Sequence, residues 1–439
     1  MTPSLTTNPA KACEKTKVTG FWSSVAVLCS GAIGVQLISA LCSPLLTRLY
    51  SPADMGVLGV FNSILMILML LGTLQFEMAV ALPAKPEEAR DVAGVAFLCL
   101  LATSLISVPV FLVFKGPLFA RLNAEALLSY WWLIPVGLFA SGLYQVLNVW
   151  SLRVKRHREI AKTNVNQTLV QLVIQLGCGF FGTGFVGLLS GAVAGRFTGI
   201  FRLAKSMIAN DKIWTPRPSP RSLIATMRRY AEFPLYSCPG ALLRLGVIQF
   251  TPLFLAGRYS LLQAGFFALQ ERLIMVPLTT LGSSVASVFY VEAAELYATN
   301  PAKLHTLFRA TVKRLLILGA APACLLLVFG PELFGFVFGE RWRDAGRYAQ
   351  ILALPGLARF VSGPVFRCLT IIGHQKVQLL CDFIGFGLLA GGFYYCHVSQ
   401  RDAWWAVLVF GVSTTVNYIL ALCCAEVFLR RIAHLRKIN

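Results

Sequence analysis

Five arginines, Arg196, Arg244, Arg272, Arg359 and Arg367, lie inside long apolar runs of this sequence. A charge at the centre of a bilayer costs about 2.5–3.5 kcal/mol on insertion scales, and such residues usually face a polar cavity. A guanidinium stays charged and donates two parallel hydrogen bonds to a phosphate or carboxylate. The chemistry these residues could do is therefore to hold an anionic group inside a membrane. Two simpler readings compete. Arg272 and Arg367 are near enough to helix ends to reach the interface with their long stems. Any of the five could also sit in a structural ion pair, with Glu77, Glu271, Asp382 or Glu426 as partner.

Two acids, Glu77 in LQFEMAVALP and Asp382 in LLCDFIGF, are also embedded in apolar sequence. An embedded carboxylate can carry a proton or bind a cation, or it can pair with an arginine. The five histidines lack metal-ligand spacing, and the chain has no phosphate-binding Gly-rich loop. No catalytic triad stands out, so neither metal, cofactor nor enzymatic activity is expected. Asn166-Gln167-Thr168 matches a glycosylation acceptor but falls inside an apolar span and is set aside.

The elements that must position these residues are membrane helices. Of 439 residues, 56% are hydrophobic and 13% charged, against about 25% charged in a soluble domain. Spans of about 20 apolar residues fall at 20–46, 54–82, 91–114, 126–151, 161–182, 184–207, 230–257, 261–290, 305–329, 345–372, 377–398 and 403–429. The expected fold is an all-α polytopic membrane protein of twelve helices. Residues 1–19 are a polar tail, 20–208 the first lobe, 209–228 a linker poor in helix formers, and 229–439 the second lobe. With both termini on one side, the loops there carry 26 Lys and Arg against 8 opposite. The positive-inside rule then makes that side cytoplasmic. The bias accounts for most of the net charge of +20 without nucleic acid. The twelve cysteines lie mostly in apolar segments and read as packing residues, not as disulfides.

An internal repeat supports two lobes of six helices. Ser43-Pro44-Leu45-Leu46, Ser51 and Gly56 match Thr251-Pro252-Leu253-Phe254, Ser260 and Gly265 at an offset of 208, then 209. Six spans separate the copies, so the lobes are related by a pseudo-two-fold axis along the membrane normal, as in transporters that bind between repeats. In span six, Gly187, Gly191, Gly195 and Gly199 recur every four residues, a ridge on which another helix packs closely. Gly177-x-Gly179-x-x-Gly182 has the spacing of a dinucleotide fingerprint but lacks its strand–helix context, and reads as a turn between spans.

Five blocks together resemble a known family: SPLLTRLYSPADMGVLGVFNSI (43–64), FEMAVALP (76–83), YAEFPLY (230–236), GFFALQERLIMVPLTTLG (265–282) and VFGERWRDAGRYAQILALPGLARFVSGPV (337–365). The sequence resembles the Wzx-type flippases of lipopolysaccharide and polysaccharide biosynthesis, within the multidrug/oligosaccharidyl-lipid/polysaccharide exporters. The resemblance implies twelve helices in two lobes, a cationic interior and coupling to an ion gradient. Its implied substrate is an undecaprenyl-pyrophosphate-linked oligosaccharide, moved across a bacterial inner membrane. Membrane lipid and other polysaccharide-assembly proteins are the expected further partners. A multidrug exporter of the same superfamily is the rival reading, although cationic drugs favour acids in the cavity. A membrane polysaccharide polymerase is a second rival, but it would call for a long outward loop bearing catalytic groups, and the loops here are short.

Overall fold

The structure, a computed structural model, describes residues 33–83, 85–211, 219–372 and 375–438. The expected tail (1–19), the start of the first span and residues 212–218 of the linker lie outside the described residues. The elements are helical throughout. The first half holds α1 (Ile33–Leu49), α2 (Pro52–Gly72), the short α3 (Phe76–Ala79), α4 (Pro86–Arg121), α5 (Leu133–Arg153), α6 (His157–Phe180) and α7 (Phe185–Asp211). A short surface helix, α8 (Pro220–Arg229), leads to α9 (Cys238–Arg258), α10 (Leu261–Gln270), α11 (Val276–Thr299), α12 (Pro301–Phe338), α13 (Arg343–Ile371), α14 (Gln375–Val398) and α15 (Ala403–Ile438). With α2–α3 and α10–α11 each counted once, the described residues make twelve crossings in two lobes of six. The helix α8 starts within the stretch read as an unstructured linker. Ser219 accepts the Ser222 amide and Pro220 fills the first helical position, so the local caps outweigh the prolines before them.

Eight described helices are long and apolar enough to cross a membrane. Among the other crossings, α6, α7 and α13 are diluted by embedded polar residues, which is the composition of a helix lining an interior cavity. The repeat read in the sequence takes physical form at helix starts. Ser51 caps α2 in a reciprocal box with Asp54, and Ser260 caps α10 through the Gln263 amide.

Packing joins the lobes at one face and parts them at the other. At the face opposite the C-terminus, one apolar core runs through both halves, from Leu46, Phe61 and Leu138 to Phe267, Trp342 and Phe410. At the face carrying the C-terminus there are two separate cores. One is built on Phe76, Val92, Trp150 and Leu203, the other on Phe289, Phe308, Cys368 and Leu429. The far face is closed by α2 crossing α10. A Cβ on Gly56 would stand 1.9 Å from the Leu261 carbonyl oxygen, and one on Gly265 would stand 1.8 Å from that of Pro52. The contact is reciprocal between repeat mates, as a two-fold axis requires. Asn123 donates to the Ala256 carbonyl at 2.8 Å and the Trp342 indole to that of Thr47 at 3.0 Å, which adds cross-lobe ties there.

Candidate functional site

Between the lobes, beneath the closed seam, lie two adjoining chambers. The first, about 370 Å³, is lined by α2, α5, α6, α7, α9 and the stretch from α10 into α11. The second, about 410 Å³, is lined by α1, α6, α7 and α11. Arg196, Arg272, Gln171 and Val276 belong to both, so the two arginines stand at the junction. Arg196 comes from the middle of α7. Arg272 comes from a wide turn, Glu271–Met275, inserted between α10 and α11, a local irregularity that is common at functional sites. Both are half-buried, and neither has an ion pair or hydrogen bond among the described residues.

The other embedded arginines are placed differently. Arg359 pairs with Glu271 at 3.4 Å, each side chain about four-fifths buried. Arg244 approaches Asp382 at 4.0 Å, with its own side chain 53% exposed. Asp382 also accepts from the Asn417 amide at 3.3 Å. The side chain of Arg367 lies outside the described residues. Of the partners considered from the sequence, Glu271 and Asp382 are thus engaged, whereas Glu426 sits at the face carrying the C-terminus with His305, Arg309 and Arg430. Among the described residues, the charge left without a partner at the lobe interface is concentrated at Arg196 and Arg272. Removing one member of a buried ion pair costs about 3–5 kcal/mol, while replacing both by apolar groups is close to neutral. Arg359→Leu is therefore expected to lower the melting temperature in detergent, and adding Glu271→Leu to restore most of it. Equal losses in the single and double variants would contradict the pairing.

Glu77 is 4% exposed, at a break in the second crossing. Leu74 and Gln75 both take positive φ, 51° and 63°, between α2 and α3, a conformation that costs a non-glycine residue about 1–3 kcal/mol. The Gln75 amide lies 3.4 Å from one Glu77 carboxylate oxygen, and the other is buried without a partner among the described residues. The Gly72 carbonyl, freed by the break, accepts from the Thr103 hydroxyl at 3.0 Å. Among the described residues no three His, Cys, Asp or Glu side chains converge as a metal set would.

The glycine ridge of α7 faces α6. A Cβ on Gly191 would meet Gln175 at 2.6 Å, one on Gly195 the Gln167 carbonyl oxygen at 2.9 Å, and one on Gly199 the Gln167 amide at 1.6 Å. Gly187 abuts Cys178 and the Tyr50 hydroxyl. Gly182 takes a positive φ of 68° in the α6–α7 turn, where the fingerprint-like glycines fall. The sequence reading missed the amide-bearing face of α6. Asn164, Gln167, Thr168 and Gln171 line the second chamber. Their spacing of i, i+3, i+4 and i+7 marks one helix face, a signal present in the segment set aside as a spurious glycosylation match.

Two six-helix lobes around a central cavity with unpartnered arginines define a polytopic membrane protein of transporter architecture. Solved structures share it. The lipid II flippase MurJ in an inward closed conformation superposes with a TM-score of 0.70 at 8% identity, covering 93% of this chain and 90% of that one. An inward-facing multidrug resistance MATE family transporter of the MOP superfamily gives 0.69 at 15%, covering 93% and 98%. A MOP superfamily transporter from Pyrococcus furiosus, described as having a binding pocket of reverse polarity, gives 0.54 at 14%, covering 93% and 96%. At these identities the likeness is one of fold. Comparison with curated proteins finds no match. Residues 45–347 match the family described as "Polysaccharide biosynthesis protein", and the chain belongs to that family. Family and fold agree with the Wzx-type resemblance read from the sequence.

Proposed function

We propose that this protein is a flippase for undecaprenyl-pyrophosphate-linked oligosaccharide units of O-antigen, capsule or exopolysaccharide, working across the bacterial inner membrane. The observation that carries the reading is the pair of unpartnered arginines, Arg196 and Arg272, at the junction of two chambers between the lobes. A pyrophosphate diester carries two negative charges and matches two guanidinium forks in charge and geometry. The prenyl tail stays in lipid between the lobes. The polysaccharide-biosynthesis family supports the substrate class. The lysine and arginine bias supports cytoplasmic termini, so the form with a closed far face opens inward. Rocking of the lobes, 20–208 against 229–439, alternates access. Arg244, Arg359 and Arg367 are secondary candidates for contact with the acidic substrate during that cycle.

The same reading assigns ion coupling to Glu77, with Asp382 as the second carboxylate. Proteoliposomes holding the purified protein and undecaprenyl-pyrophosphate-linked oligosaccharide test it directly. Protein-dependent translocation that accelerates under an imposed proton or sodium gradient is the expected result. Glu77→Gln should remove the acceleration while leaving substrate binding intact. No translocation of this lipid would overturn the function. Gradient dependence unchanged in Glu77→Gln would overturn the role of Glu77 alone.

A further inference from the structure

The two chambers differ in chemistry. Among the described residues, the second carries no acid on its wall, and its only charges are the two arginines at the border. The rest of its polar lining is amide and hydroxyl: Asn164, Gln167, Thr168 and Gln171 on α6, facing Gln36 and Ser39 on α1. These groups come from one lobe, and a Gln36–Thr280 contact of 3.4 Å reaches the other. An amide side chain offers two donors and an acceptor. Several amides on one wall suit a ligand with hydroxyl and acetamido groups more than a second anion.

Two amides of this wall are held by their neighbours. The Tyr144 hydroxyl donates to Asn164 Oδ1 at 2.6 Å, which fixes that amide and leaves its NH₂ to point elsewhere. The amide of Gln167 sits in the notch left by Gly199, where a Cβ would collide with it at 1.6 Å. Its Nε2 is buried against α7 beside Tyr144, which holds this amide in place. The glycine ridge of α7 therefore does more than pack two helices. By admitting the α6 amides closely, it sets the depth of the chamber wall. A volume near 410 Å³ is within the range of small-ligand sites, about 300–1,000 Å³.

We propose that the chamber walled by Asn164, Gln167, Thr168, Gln171, Gln36 and Ser39 is a subsite for the uncharged sugar adjoining the pyrophosphate, and so selects glycosylated from bare lipid. The inference rests on the reading of the arginine pair as a pyrophosphate site. It separates the two tasks in space: the arginines hold the charge common to every such lipid, and the amides read the sugar.

The test uses the full chain in nanodiscs and two probes. One is bare undecaprenyl pyrophosphate. The other is the lipid-linked oligosaccharide that accumulates in the native host when this protein is deleted. Wild type is expected to bind the glycosylated lipid at least about tenfold tighter than the bare one, because hydrogen-bonding sites discriminate strongly by the groups they pair. Gln36→Leu combined with Thr168→Val should reduce that preference to less than about threefold, the loss falling on the glycosylated lipid. Thermal melting confirms the fold of the variant. Should that pair not fold, Ser39→Ala with Gln167→Leu carries the same expectation. Wild type without a preference, or variants that keep it, would overturn the subsite. Bare undecaprenyl pyrophosphate that does not bind, or that binds equally to Arg196→Ala/Arg272→Ala, would overturn the pyrophosphate site beneath it.

Discussion

Replacing both Arg196 and Arg272 by alanine is expected to abolish surface glycan while leaving the amount of folded protein unchanged. Each guanidinium is without a protein partner among the described residues, so its removal strands no opposite charge. Truncation should then cost binding, not folding. A hydrogen bond to a charged group contributes about 1.5–3 kcal/mol. Two such contacts make the loss about 10²- to 10⁴-fold in affinity, at about 1.4 kcal/mol per decade. Lysine at both positions restores the charge without the planar fork and should recover only part of the activity. The measurements are surface glycan in cells and binding of undecaprenyl pyrophosphate by the purified protein. Binding within threefold of wild type in the double-alanine variant would refute the anion site. The contrast with Arg359 is informative. There, leucine should damage folding first, because Glu271 is left buried without its partner.

The second large effect is expected at the seam between α2 and α10. Gly265→Ala places a Cβ 1.8 Å from the Pro52 carbonyl oxygen, and Gly56→Ala places one 1.9 Å from that of Leu261. No side-chain rotamer relieves either clash, since the colliding atom is the β-carbon and its target is backbone. The helices must separate, so the far face cannot close as it does here. The terminal-side core of each lobe is untouched, and the protein should still fold. Spin labels at Glu125 and Glu332, on opposite lobes at the far face, should move apart, and transport should stop. Gly387→Ala on α14 is the control. Nothing lies within 4 Å of its Cβ, and alanine within a helix is worth about 0.5–1 kcal/mol over glycine. A label distance and transport rate in Gly265→Ala equal to those of Gly387→Ala would show that the seam tolerates a methyl group.

Much of this architecture was legible because its signals are local. Apolar runs located each described crossing, with ends off by up to nine residues, and the matched Ser51/Ser260 and Gly56/Gly265 became the caps and the crossing point of the two lobes. What was not legible depends on distance or on small backbone departures. Arg359 and Glu271 are 88 residues apart, and nothing in either segment names the other as partner. The break at Leu74 and Gln75 is announced only by Gly72, the last residue of α2, a weak signal in a chain with 36 glycines. It lies inside a run that reads as one uninterrupted span, 54–82. The inserted turn at Glu271–Met275 is marked only by Pro277 just beyond it, which lacks the N–H that would continue the regular ladder. The amide face of α6 was different. Its periodicity was present, but attention to charge alone passed over it.

The forked core also bears on how the chain is assembled. The terminal-side core of the first lobe uses only residues between Phe76 and Met207 for its buried members. It can be completed in the membrane while the second half is still being synthesised, as domains commonly form in N-to-C order. The far-side core cannot, because it needs Phe266, Trp342 and Phe410 to cover Leu46, Phe61 and Leu138. Until the last helices insert, those surfaces and the glycines of α2 stay uncovered. The nascent first lobe therefore presents its future seam to the bilayer, and a chaperone or insertase guarding the half-made protein would find its exposed side there.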